Sequence, residues 1–195
     1  MKLVVGLGNP GPRYADTRHN VGFRIVLHLA ATRGIPLDRR RFGGAFGRER
    51  LRGVEVALLA PLTWMNLSGD AVAEALAGLP VEDPARDLLV VFDDVDLPFG
   101  RLRLRPRGGG GGHRGLTHVI ERLGHGGFPR LRFGVGRPEG ALDTADWVLS
   151  PFSADEERAL AERIPEAAAA VEAALLEGLV PAMNRYNADP ADPEA

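Results

Sequence analysis

Apolar residues recur along the chain with two periods, and the alternation of those periods predicts the fold. Residues 2–7 are an apolar run of strand length, as in a strand covered on both faces. Val21, Phe23, Ile25, Val26, Leu29 and Ala30 then fall at helical spacing, and Gly34 and Pro36 close that helix. Residues 39–47 read as a loop entering a strand. Residues 48–51 and 54–60 read as paired strands around the Arg52-Gly53 turn. The segment 61–69 opens a helix that runs to about residue 77. Residues 88–92 form another apolar strand, ending in Asp93, Asp94 and Asp96.

Residues 101–105 alternate arginine and leucine, which predicts a strand with one wet face carrying Arg101, Arg103, Arg105 and Arg107. Five glycines follow, then a helix from His113 to about residue 123 and a strand over 131–135. Ser153 with Glu156 forms a capping box that opens a helix. Pro165 is expected to divide that helix, whose second part ends near residue 176. Strands and helices alternate, with one antiparallel region in the middle and neither a repeat nor an interdomain linker. The expectation is an α/β protein: a single-domain, three-layer αβα sandwich over residues 1–187 with a mixed, partly parallel central sheet. The polar, proline-containing residues 188–195 are expected to be a disordered tail.

The chain has 195 residues, no cysteine and a net charge of -2. Disulfides and thiolate metal sites are therefore excluded. No apolar run is long enough to span a bilayer, and Met1-Lys2 leads straight into a strand, so the expectation is a cytoplasmic protein without membrane contact. The small net charge hides an asymmetry. Between residues 101 and 137 Glu121 is the only acid among many arginines, whereas acids dominate from Glu139 onward. A basic middle of this kind suits a polyanion partner.

Four stretches carry candidate chemistry. Gly6-Leu7-Gly8-Asn9-Pro10-Gly11 has the glycine spacing of a dinucleotide loop. However, Pro10 and Pro12 interrupt it, and the helix starts only after His19, too late for its N–H groups to meet a pyrophosphate. His19 lies between loop asparagines where a strand–loop–helix unit forms its site, and it suits proton abstraction near neutral pH, although it could also merely cap the helix. Asp93 could orient that histidine. Alternatively, Asp93, Asp94 and Asp96 could ligate magnesium in a phosphoesterase. Asn66 could bind a substrate carbonyl or serve as an N-cap. The glycines at 108–112 could be a linker or a mobile gate whose N–H groups meet an anion.

These stretches together resemble bacterial peptidyl-tRNA hydrolase over about residues 3–187. The matching motifs are Val5-Gly6-Leu7-Gly8-Asn9-Pro10-Gly11, Thr17-Arg18-His19-Asn20-Val21-Gly22, Thr63-Trp64-Met65-Asn66-Leu67-Ser68-Gly69, Asp93-Asp94-Val95-Asp96-Leu97-Pro98, Gly111-Gly112-His113-Arg114-Gly115-Leu116 and Arg130-Leu131-Arg132-Phe133-Gly134-Val135-Gly136. The resemblance implies an esterase that releases tRNA from a peptide joined to its 3′-terminal ribose, with no metal and no cofactor. It implies His19 as general base oriented by Asp93. It places Asn9, Tyr14, Trp64, Met65, Asn66, His113 and Arg114 on the substrate, and Arg103, Arg105 and Arg132 on the tRNA acceptor arm. It further implies a monomer with no obligate protein partner. Two positions depart from the family pattern: Arg114 stands where asparagine is common after the histidine, and Phe92 stands where histidine often precedes the aspartate. The rival to an enzyme is an RNA-binding module that has lost catalysis, and the intact Asn9, His19, Asn66 and Asp93 argue against it.

Overall fold

A computed structural model describes the chain except for Glu139, Ala141, Leu142 and residues 189–195. The expectation for the tail therefore falls, apart from Ala188, outside the described residues. In chain order the strands are β1 (Lys2–Gly6), β2 (Arg39–Arg41), β3 (Gly44–Leu51), β4 (Val54–Pro61), β5 (Leu88–Asp94), β6 (Leu102–Arg105) and β7 (Arg130–Gly134). The helices are α1 (Val21–Arg33), α2 (Ser68–Gly78), α3 (Pro84–Asp87), α4 (Arg114–Leu123), α5 (Thr144–Leu149), α6 (Ala154–Leu176) and α7 (Leu179–Tyr186).

The strands form one sheet in the order β2-β3-β4-β1-β5-β7-β6. Its centre, β4-β1-β5-β7, is parallel, which is why β1 and β5 read as nearly continuous apolar runs. Both faces are covered. One carries Val4, Leu58 and Val91 against α1 and α6; the other carries Val5, Leu59 and Val90 against α2 and α4. The mixed three-layer sandwich read from the sequence is the observed architecture.

Several local expectations need correction. The antiparallel pairing is at both edges, β2-β3-β4 on one side and β6-β7 on the other, rather than in one middle region. Residues 39–41 are an edge strand, because Arg39 pairs with Phe46 and Arg41 with Gly44. Three arginines carry no apolar alternation, so only the partner strand reveals them. β6 covers residues 102–105, which leaves Arg101 and Arg107 outside the strand face assigned to them. Pro165 sits inside one unbroken helix, α6. Buried Leu160, Ile164, Ala167, Ala168 and Val171 hold both halves against the core, which outweighs the hydrogen bond that proline removes. Three short helices, α3, α5 and α7, were not anticipated, because none is long enough to display a period.

Two features of the packing bear on the site. α1 crosses β1 and β5 so closely that a Cβ on Gly22 would lie 2.4 Å from the Val91 carbonyl oxygen, and one on Gly6 would lie 2.3 Å from that of Gly22. Only glycine permits this approach, which brings the turn before α1 onto the C-terminal end of β5. At the far edge, the Leu104 N–H donates to Asn187 Oδ1 at 2.7 Å and Asn187 Nδ2 donates to the Leu104 carbonyl at 3.0 Å. The amide mimics a neighbouring strand and covers part of the open edge of β6.

Candidate active site

The parallel strands all end on the same side of the sheet, and the loops that follow them converge there. β1 delivers Asn9, β4 delivers Trp64, Met65 and Asn66, and β5 delivers Asp93. The 3₁₀ turn Arg18–Asn20, just before α1, delivers His19. With His113 and Arg114 at the start of α4, these residues line one cleft of about 590 Å³. Tyr14 is not part of the lining; it packs edge-on against Trp64, ring centres 5.9 Å apart.

The loop after β1 is fixed by two reciprocal bonds. The Asn9 N–H donates to Asn20 Oδ1 at 2.8 Å, and Asn20 Nδ2 returns a bond to the Asn9 carbonyl at 2.9 Å. The Asn9 side-chain oxygen accepts the Met65 N–H at 2.8 Å. A main-chain amide can only donate, so this contact sets the amide's orientation and leaves Asn9 Nδ2 as a donor toward the cleft. Asn66 is exposed at the rim, on the turn Met65–Leu67.

Asp93 is the centre of the site. It is 3% exposed, and His19 Nδ1 lies 2.9 Å from its Oδ1 and 3.0 Å from its Oδ2. His113 Nε2 lies 3.0 Å from the same Oδ1. Burial pushes the Asp93 carboxyl upward, but the adjacent His19 and His113 imidazoles outweigh it and hold the group well below the usual carboxylate range. An ionised carboxylate only accepts, so His19 carries its proton on Nδ1 and turns Nε2, a lone pair, away from Asp93. His19 Nε2 bonds no protein atom among the described residues. Phe92 packs edge-on against His113, ring centres 5.0 Å apart, in place of a second polar side chain.

His19, Asp93 and His113 are also near enough to one another to share a metal ion, their ligand atoms lying within 4.8 Å. Here the three groups are bonded to one another, both ring nitrogens that face Asp93 being engaged with its oxygens. The three aspartates do not converge. Arg132 Nε binds Asp94 Oδ2 at 2.5 Å, and Arg137 binds Asp96. Their side chains serve ion pairs with β7 and the segment after it.

The arginines expected to face RNA gather where β6 meets β7. Arg103 pairs in register with Arg132, and Arg105 with Arg130, so all four lie on one side of the sheet. Arg105 is exposed, Arg103 and Arg132 are half-buried, and Arg130 is buried. Arg132 reaches the cleft through Asp94, which lines it.

Three parts of the site were not anticipated. α5 forms one wall through Thr144, Ala145, Val148 and Leu149. Its only sequence signal is Asp143, whose side chain accepts the Ala145 N–H at 2.7 Å as an N-cap. Arg18, adjacent to His19, stacks on Trp147 of α5 at 3.5 Å and pairs with Glu156 at 2.6 Å. It thereby ties the wall to the turn that carries His19. The third is the burial of Arg130. Alternation with Leu131 and Phe133 predicts a wet residue there, and only the packing of residues 108 and 126–128 over it shows otherwise.

Known proteins resemble this chain over nearly its whole length. The family model described as Peptidyl-tRNA hydrolase matches residues 3–194. The peptidyl-tRNA hydrolase of Chloroflexus aggregans is 52% identical over 187 residues, covering 96% of this chain and 99% of its own. That of Symbiobacterium thermophilum is 51% identical over 188 residues, covering 95% and 98%. The crystal structure of peptidyl-tRNA hydrolase from Acinetobacter baumannii superposes with a TM-score of 0.86 at 39% identity, covering 96% of this chain and 95% of that one.

Proposed function

The chain belongs to the peptidyl-tRNA hydrolase family and hydrolyses peptidyl-tRNA; we propose that His19 is the general base of that reaction and Asp93 its orienting partner. One observation carries this reading: His19 Nδ1 is bound to both Asp93 oxygens while Nε2 is left without a protein partner in the cleft.

A water held by His19 Nε2 loses its proton to that nitrogen as its oxygen bonds to the ester carbonyl carbon. Asp93 keeps the imidazole in the required tautomer and stabilises the imidazolium that forms. The Asn9 amide, fixed by Met65, and the Asn66 amide at the rim supply neutral donors for the charge that develops on the carbonyl oxygen. The bond between the carbonyl carbon and the ribose oxygen then breaks, and the imidazolium returns its proton to that oxygen. The products are free tRNA and a peptide with a new carboxylate. Each role is taken by groups of this chain.

The remaining substrate contacts follow from position. Trp64, with Tyr14 packed against it, and Met65 offer an apolar wall for the peptide, and His113 and Arg114 line the same cleft beside the ester. Arg103, Arg105 and Arg132 lie together beside the cleft, where they suit the phosphates of the acceptor arm. We further propose a cytoplasmic monomer whose catalytic domain spans residues 1–187. No helix among the described residues is long and apolar enough to cross a membrane.

The decisive experiment compares an N-acetylated aminoacyl-tRNA with the same aminoacyl-tRNA bearing a free amine, each with and without a chelator. Preferential release from the blocked substrate, unchanged by chelation, is expected. Loss of activity on chelation, restored by magnesium, would overturn the metal-free mechanism.

A further inference from the structure

Arg130 has the largest fully buried side chain among the described residues, and the chemistry above makes no use of it. Arginine is ordinarily buried only against a carboxylate. Here all the bonds go to main-chain carbonyls. Nη1 donates to Gly108 at 2.9 Å and Gly109 at 3.3 Å; Nη2 donates to Gly126 at 2.7 Å and Phe128 at 3.1 Å; Nε donates to Phe128 at 3.3 Å. The guanidinium lies over the Phe128 ring, 4.5 Å from its centre. Burial, and secondarily the charge of Arg132, lowers its pKa to about 10, so it remains a cation at neutral pH.

The carbonyls belong to two segments that are not neighbours in sequence: the start of the glycine run and the turn that enters β7. The Gly108 N–H also donates to the Gly126 carbonyl at 3.1 Å. The approach is so close that a Cβ on Gly126 would lie 2.2 Å from the Gly108 oxygen. Further along, a Cβ on Gly110 would meet Thr117 Oγ1 at 2.2 Å, whereas Gly111 and Gly112 face open space. The glycine run is thus held at its base by Arg130 and at Gly110 by α4, and the His113 N–H donates to the Gly110 carbonyl at 2.9 Å, closing the turn over residues 111 and 112. The next residue, His113, is bonded to Asp93.

We propose that Arg130 is a positioning residue for hydrolysis: its guanidinium anchors the glycine run so that His113 is held on Asp93 and Arg114 faces the cleft. The proposal rests on the reading of His19 and Asp93 as the water-activating pair. The planar fork is what the site requires. A lysine would keep the charge, and with it the long-range attraction for RNA, but its three donors diverge from a single nitrogen and cannot span both segments in one plane.

The test is Arg130→Lys, assayed by steady-state hydrolysis of N-acetylated aminoacyl-tRNA and by hydrogen exchange of the main-chain amides. The expected result is a fall in kcat of about tenfold or more, from displacement of a group next to the chemistry, with KM held within about twofold. Exchange should quicken at Gly108 and His113 and stay unchanged in β1 and β5. A kcat within about twofold of the parent, or a KM that rises as far as kcat falls, would overturn the proposal. So would faster exchange spread through β1 and β5, which would mark a general loss of stability. Should the lysine variant not fold, Phe128→Leu removes the ring beneath the guanidinium and leaves the donors. It should show the same pattern in weaker form, and unchanged exchange at Gly108 would again overturn the proposal. A parent enzyme that releases no peptide would refute the proposed hydrolysis instead; the exchange comparison needs no turnover and judges Arg130 on its own.

Discussion

The N–H of Leu116 donates to His113 Nδ1 at 3.0 Å, and this single bond at the start of α4 settles the protonation of a residue that reaches Asp93. A main-chain amide has only a hydrogen to offer, so His113 Nδ1 is a lone pair and the ring proton is on Nε2, facing Asp93 Oδ1. Asp93 therefore receives one N–H from His113 and one from His19. The carboxylate is shared, and His19 retains its outward lone pair.

Asp93→Asn tests that arrangement. An amide has one acceptor oxygen where the carboxylate has two, and its NH₂ group would face a ring N–H or force His19 into the other tautomer, with Nε2 protonated. Because the wrong tautomer cannot take a proton from water, kcat should fall by about 10²–10⁴-fold, the range typical of a lost general base. The check is single-turnover hydrolysis of N-acetylated aminoacyl-tRNA. A rate within tenfold of the parent, about 1.4 kcal/mol, would show that Asp93 does not set the tautomer.

His19→Ala removes the base without touching the basic face of β6 and β7. Turnover should fall by about 10²–10⁴-fold while tRNA affinity is unchanged. Filter binding of uncharged tRNA alongside the hydrolysis assay separates the two effects. Near-normal kcat would remove His19 from the mechanism.

Arg105→Ala addresses RNA binding. Arg105 is exposed at the end of β6, next to Arg103 on the same face. Loss of one phosphate contact should weaken tRNA binding and reduce the slope of log K against log salt by about one. A titration series over salt concentration measures this, and an unchanged slope would place Arg105 outside the RNA footprint.

Asp87→Asn concerns stability and its pH dependence. Asp87 is 4% exposed; it accepts bonds from Arg86 Nε at 2.9 Å and from Lys2 Nζ at 2.8 Å. The hydrogen-bonded Arg86 guanidinium, opposed by burial and assisted by Lys2, holds the carboxyl well below its ordinary range. A carboxyl with a depressed folded-state pKa contributes stability above its unfolded value of about 3.9, and that contribution is lost as pH falls through the folded value. The variant should lose up to about 1 kcal/mol at neutral pH, because the Arg86 and Lys2 side chains both reach solvent and screening limits what each ion pair contributes. The deficit against the parent should narrow as the pH drops below about 4. Urea unfolding at pH 7 and pH 3 reads both quantities. A deficit independent of pH would mean that packing, not charge, accounts for the loss.

Much of the molecule was legible in the chain itself. Apolar runs of strand length mark β1, β4 and β5, because strands buried on both faces need apolar side chains at nearly every position. Helical spacing after His19 marks α1, and a capping box marks the start of α6. The motifs also placed Asn9, His19 and Asn66 at loops after strands and Asp93 at the end of one, because a parallel sheet collects its strand ends and loops on one side. What the chain could not display is anything that depends on a partner distant in sequence. The arginines of β2 form a strand only because β3 lies beside them. Pro165 stays within α6 because the core holds the helix on both sides of it. The tautomer of His113 is set by the Leu116 amide, and the orientation of the Asn9 amide by that of Met65. Arg130 occupies a position that alternates as if wet, yet it is buried because four carbonyls from two separate segments close around it. Periodicity records which face of an element is apolar. Which donor meets which acceptor is decided only when the elements pack, and in this protein that decision sets the protonation of the site.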